Sequence, residues 1–152
     1  DLKELCTEEQ VFQYADFEWG TDSEQLFKQS SLKFDEKDLG QGDESSTKTY
    51  ESKEKFSLEN AESNMDLEFS DGQLSQVSFT FDIEQDATTW IQKDVDELNS
   101  LYGGGIATGL GNQIYQWQGE QDTVLQLTAF TEGDESATVI LSVASMEYSI
   151  GS

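Results

Sequence analysis

Residues 65–81, MDLEFSDGQLSQVSFTF, leave this chain few choices of fold. Met65, Leu67 and Phe69 alternate with polar residues, and Val77, Phe79 and Phe81 do the same after Leu74. A period of two buries one face of a strand and leaves the other polar. Between the two runs lies Ser-Asp-Gly-Gln, a hairpin turn of Asp-Gly type. The step from Leu74 to Val77 is three rather than two. A β-bulge near Ser75–Gln76 restores the face.

The other segments arrange themselves around this hairpin. Tyr50, Phe56 and Leu58 suggest a strand before it. Residues 86–102 read as a helix, capped by Asp86, with Trp90, Ile91, Val95, Leu98, Leu101 and Tyr102 on one face. Gly103 stands where a left-handed C-terminal cap belongs. "GGGIATGLGN" reads as a flexible connector. "QIYQWQ", "TVLQLTAF" and "ATVILSVASMEY" read as three further strands. Near the start, "DFEWGTDSEQLFKQ" carries a second helix signal. Thr21 and Glu24 form a capping box, Asp22 and Glu24 suit the first turn, and Leu26 and Phe27 give an apolar stripe. Trp19 lies just outside this cap and folds over the first turn, while Gly20 lets the chain bend. The first fifteen residues fit a short helix or a strand equally well. Residues 35–49 are polar, acidic and Gly-bearing, and read as a mobile loop.

Strands of adjacent sequence joined by short turns pair antiparallel. The expectation is one α+β domain over 1–152, with helices packed on one face of an antiparallel sheet, in the order α-βββ-α-βββ. The order permits an internal duplication, although no sequence repeat demands one.

Residue types narrow the chemistry. The 152 residues hold 32 acids against 8 lysines, a net charge of −24, with no Arg, His or Pro. Lack of His removes the Ser-His-Asp triad and the imidazole metal ligand. A single Cys, Cys6, forms no intramolecular disulfide and no thiolate zinc site. Nucleic-acid binding through phosphates needs a positive surface, which this chain lacks. No apolar run is long enough to span a membrane. The Gly-rich run lacks the Gly-Lys-Ser/Thr that a phosphate loop requires. The acidic clusters lack EF-hand spacing and leave room only for weak calcium binding. No catalytic, cofactor or metal residues are assigned.

"FEWGTDSEQL" resembles the Trp-Gly-Thr opening of small extracytoplasmic α+β domains in bacterial lipoproteins and secreted proteins of unknown function. "FSDGQLSQV" is similar to their Phe-x-Asp-Gly-x-Leu hairpin, and "LNSLYG" to the Leu-x-x-x-Tyr-Gly end of their helix. "IYQWQ" and "VLQLTA" match the strands that follow. The resemblance spans about residues 16–148. The architecture is also similar to the outer-membrane assembly lipoprotein BamE and to β-lactamase-inhibitor-like modules, which work by binding proteins. The long Gly-rich run and the acidity depart from the pattern.

What the resemblance implies is a non-catalytic extracytoplasmic binding or scaffold domain, partnered by a protein or another cell-envelope component. The first residue is Asp1 rather than Met, so either a leader was removed or the sequence is cut from a longer chain; the extracytoplasmic expectation takes the first, with export or an anchor through residues upstream of Asp1. Exposed aromatics are the candidate partner surface: Tyr115 and Trp117 on one face of a strand, with Tyr102 nearby. If Ile114 faces inward, both rings face outward; the competing reading makes them the inner face. An acidic nucleic-acid mimic or inhibitor in the cytoplasm is the alternative function, and a carboxylate-dependent hydrolase the third.

Overall fold

A computed structural model describes residues 2–37, 47–58, 60–108, 113–133 and 135–150. The strands are β1 (Phe34–Lys37), β2 (Thr47–Leu58), β3 (Ala61–Ser70), β4 (Gln73–Ile83), β5 (Ile106–Thr108), β6 (Gln113–Gln118), β7 (Thr123–Glu132) and β8 (Ser136–Ser145). The helices are α1 (Ser23–Gln29), α2 (Ala87–Tyr102) and α3 (Met146–Ile150), preceded by a 3-10 turn over Leu2–Leu5.

All eight strands join one sheet in the order β1-β2-β3-β4-β8-β7-β6-β5, and every pairing is antiparallel. The α+β class and the antiparallel sheet are as expected. The strand count is not: each of the first two helices is followed by four strands, not three. The order is that of two αββββ units related by a twofold rotation normal to the sheet, with β4 and β8 meeting at the centre. The duplication lies in topology more than in residues.

The hairpin forms as its residues require. Asp71 and Gly72 both take positive φ, 51° and 81°, as a type I′ turn demands. Glu68 pairs with Gln76 but Phe69 with Leu74, so Ser75 is the extra, bulged residue. Its hydroxyl is 3.0 Å from that of Ser70, and both side chains are buried.

The core lies on one face. Met65, Leu67, Leu74, Val77, Leu125, Val139 and Val143 are each fully covered. α2 lays Ala87, Ile91, Val95 and Leu98 on them, and α1 adds Leu26. Each large aliphatic side chain so buried stabilises the fold by about 1.5–3 kcal/mol relative to exposure. Asp94 of α2 is buried in the same layer. Gly103 ends α2 with φ 90° and donates to Asn99 O at 2.9 Å. Asp86 holds the N-cap position, but in the left-handed region and with no side-chain cap bond. Glu135 of the β7–β8 turn compensates, since its carbonyl accepts from Ala87 N at 3.1 Å.

The Trp-Gly pair docks the start of α1 on the sheet. Gly20 N donates to Leu74 O at 3.0 Å, and Leu74 N to Thr21 O at 2.9 Å. Trp19 Nε1 reaches Phe12 O at 2.8 Å, tying down the N-terminal segment. The cap residue is Asp22, not Thr21: Asp22 Oδ1 accepts from Gln25 N at 2.8 Å, while the Thr21 hydroxyl turns back to Glu18 O.

Of the short helix or strand that fit the first fifteen residues, a short 3-10 helix forms, and the only strand pairing among the described ones is one bridge. A 3-10 turn leads to a single bridge between Cys6 and Phe12. Of the loop expected over 35–49, residues 35–37 belong to β1 and 47–49 to β2, while 38–46 lie outside the described residues. Within the Gly-rich connector, 106–108 form β5, and 109–112 lie outside the described residues. The last expected strand stops at Ser145, and "MEYSI" turns into α3.

Candidate functional site: the open face of the sheet

Trp117 is buried in the core at 3% exposure. Its Nε1 donates to Asn99 Oδ1 at 3.1 Å and to Gly103 O at 3.0 Å, pinning the end of α2 to β6. Tyr115 shares that packed face, 6.5 Å from Trp117 between ring centroids, and is half-buried. Tyr102 is half-buried edge-on against Phe12 at 5.3 Å. The outward orientation considered for the Tyr115–Trp117 pair is therefore reversed. Period two fixes that the two rings share a face, but not which face; Ile114 goes outward.

The outward residues form a different surface. Along β6 to β8 they include Ile114, Gln116, Val124, Gln126, Ile140 and Ser142, none of them part of the core. Phe130, 42% exposed, is at the far end. Register sets them in rows. Gln116 pairs with Gln126, Gln126 with Ser142, and Ser142 with Ser78 of β4. Beyond the centre the same row continues through Asp66 and Glu51 to Asp35.

Side-chain bonds hold this face in place. Gln116 Nε2 donates to Gln126 Oε1 at 2.7 Å, and Gln126 Nε2 to Thr128 Oγ1 at 2.9 Å. Ordering two flexible amides in advance lowers the entropy lost when a partner docks. On the other half, Lys37 Nζ lies 3.3 Å from Asp66 Oδ2 and 3.8 Å from Glu51 Oε2. Burial raises the carboxyls of Asp66 and Glu68 above the ordinary range. At Asp66 burial outweighs Lys37, which pulls the other way, and Glu51 adds to the rise.

The face thus has two characters. From Gln113 to Gln118, Thr123 to Thr131 and Ser136 to Ser145 there is no ionisable side chain except Tyr115, which points into the packed layer. The β1–β3 half carries Asp35, Glu51, Asp66 and Glu68. The signal is present in the sequence as three strands with a single anion, Glu132 at the end of β7, in a chain of net charge −24. Scarcity of charge, not exposed aromatics, marks this surface.

Two grooves lie elsewhere. One of about 540 Å³ runs between the end of β4 and α2, lined by Asp82, Glu84, Asp86, Thr89, Trp90 and Lys93. Another of about 320 Å³ lies between Trp19 and Tyr148. Among the described residues, no group of three or more His, Cys, Asp or Glu side chains is arranged to hold a metal ion. No helix among them is long and apolar enough to cross a membrane. Comparison with family models, curated proteins and solved structures finds no match to this chain.

Proposed function

We propose that this chain is a non-catalytic binding domain that docks a protein partner on the open face of its sheet. It would work outside the cytoplasm, as part of a bacterial lipoprotein or secreted protein. One observation carries the reading: among the described residues the outward side chains of β6–β8 stand outside the core, and the one charge among them is Glu132 at the far end of β7, in a chain of net charge −24. The centre of a protein interface is depleted of charged residues, and its rim is polar. A solvated face with no binding role has no reason to escape the charge that fills the rest of the surface. Partly exposed Ile114, Val124 and Ile140 beside ordered amides suit a protein surface better than a small ligand, which needs a concave site.

The test is charge insertion. Ser142→Glu adds an anion to the neutral half, and Thr89→Glu adds one on exposed α2. Both variants should unfold within about 0.5 kcal/mol of the parent. A partner that co-purifies with the parent and with Thr89→Glu, but is lost with Ser142→Glu, supports the reading. Equal recovery with Ser142→Glu sinks it. The compartment is tested by intact mass of the native protein. A diacylglyceryl Cys upstream of Asp1 or a signal-peptidase start supports export, and an initiator Met followed by a cytosolic chain refutes it. An acidic nucleic-acid mimic has less support, because half of the open face carries a single anion, at its far end.

A further inference from the structure

The open face changes character at the β4–β8 seam, and the change specifies a partner. Beside the seam the side chains are short: Ser142 faces Ser78, and Ser78 faces Asp66. No long side chain in that row screens Asp66 from the seam. Asp66 Oδ1 is enclosed and accepts no hydrogen bond, whereas Oδ2 meets Lys37 at 3.3 Å. Lys37 is itself divided between Asp66 and Glu51. Oδ1 is thus closed to a donor from outside, but the Asp66 side chain keeps 24% of its surface exposed, and a donor approaches it there. Glu68, two residues along β3 and on the same face, faces Gln76 and is half-buried.

We propose that the partner is a protein that crosses the β4–β8 seam with an arginine directed at Asp66 and Glu68, and lays an uncharged surface on β6–β8. The inference rests on the docking reading above and adds the chemistry of the partner. Arginine fits better than lysine. Its planar fork can bond two acceptors at once, and Lys37 already supplies a point charge. The charge of the whole chain acts in the same direction. A net −24 draws a basic surface in and repels an acidic one. The neutral half then fixes where the partner lies, since charge alone would attract it anywhere.

The experiment places a photocrosslinking benzoylphenylalanine at Ser142 of the full chain, in the cells that make it. The attached peptide is identified by mass spectrometry. Two isosteric pairs are then compared in that background: D66N/E68Q, and E8Q/E9Q, which removes the same charge from an exposed N-terminal turn. The expected result is a crosslinked segment containing an arginine, and a yield that falls about tenfold or more in D66N/E68Q but holds in E8Q/E9Q. E68Q alone, with a smaller loss in the same direction, substitutes if the double variant unfolds. A crosslink that survives both pairs, or a segment without a basic residue, overturns the arginine inference and leaves the docking reading standing. No crosslink at Ser142 overturns both.

Discussion

Replacing Gly20 with Ala tests the docking of α1 at a single atom. Gly20 has φ +86°, and its N–H and the carbonyl of the next residue are both bonded to Leu74. The backbone therefore cannot turn to suit a side chain without losing those bonds. A left-handed conformation costs an L-residue about 1–2 kcal/mol. The added Cβ would lie 2.6 Å from Tyr148 Cζ, where carbon atoms prefer about 3.5–4.0 Å. Relieving that overlap means swinging the far end of the Tyr148 ring, which lines an open groove, off its preferred rotamer, at about 0.5–1.5 kcal/mol. Together the two effects predict a loss of about 1.5–3.5 kcal/mol. Urea unfolding followed by tryptophan emission would measure it. A double-mutant cycle separates the two parts. In a Tyr148→Ala background the overlap is gone, and Gly20→Ala should cost only about 1–2 kcal/mol. A Gly20→Ala variant within about 0.5 kcal/mol of the parent would refute the whole argument. An equal loss with and without Tyr148 would refute the collision and leave the backbone strain.

Trp117→Phe removes the N–H shared by Asn99 and Gly103 and should destabilise by about 1–3 kcal/mol in the same urea assay. Acidification should stabilise the protein over a defined window. The folded-state pKa values of Asp66 and Glu68 are raised by burial, so the folded state takes up protons first. The unfolding free energy should rise as pH falls through those raised values toward the ordinary 3.8 and 4.5, and the D66N/E68Q pair should flatten that slope in unfolding curves recorded across the range. Tyr14 and Tyr102 are pushed up to about 12, chiefly by burial, so their phenolate absorbance should appear only near that pH in an alkaline titration. Stability should fall as pH rises above the ordinary 10, where only the unfolded state releases these protons.

Where period, turn and cap agree, the fold is legible from residues alone. The β3–β4 hairpin, the Ser75 bulge, α2 and its Gly103 stop follow from local rules that tertiary packing leaves in force. β1 does not. Phe34-Asp-Glu-Lys is a four-residue edge strand, too short for alternation to emerge from the acidic run it enters. β5 is shorter still and starts among glycines. The end of β8 is hidden because "SVASMEY" suits strand or helix until Met146 N turns to Asp122 O. The candidate surface was half legible. The scarcity of charge on β6–β8 is plain in the residues, but which parity faces solvent depends on Trp117 finding Asn99 across the core. That pairing is 18 residues distant in sequence, and no local pattern encodes it.

The meeting of β4 and β8 at the centre of the sheet also governs how the chain must be made. A ribosome delivers α1 and β1–β4 first, and β4 is then an edge with its hydrogen-bonding groups unmatched along one side. Its proper mate is the last strand in the order. Until β8 emerges, the first unit displays Val77, Phe79 and Phe81 beside an open ladder, an arrangement that invites pairing with a neighbouring nascent chain. Heavy negative charge then acts as a chaperone built into composition, keeping such half-made molecules apart until each can close its own sheet.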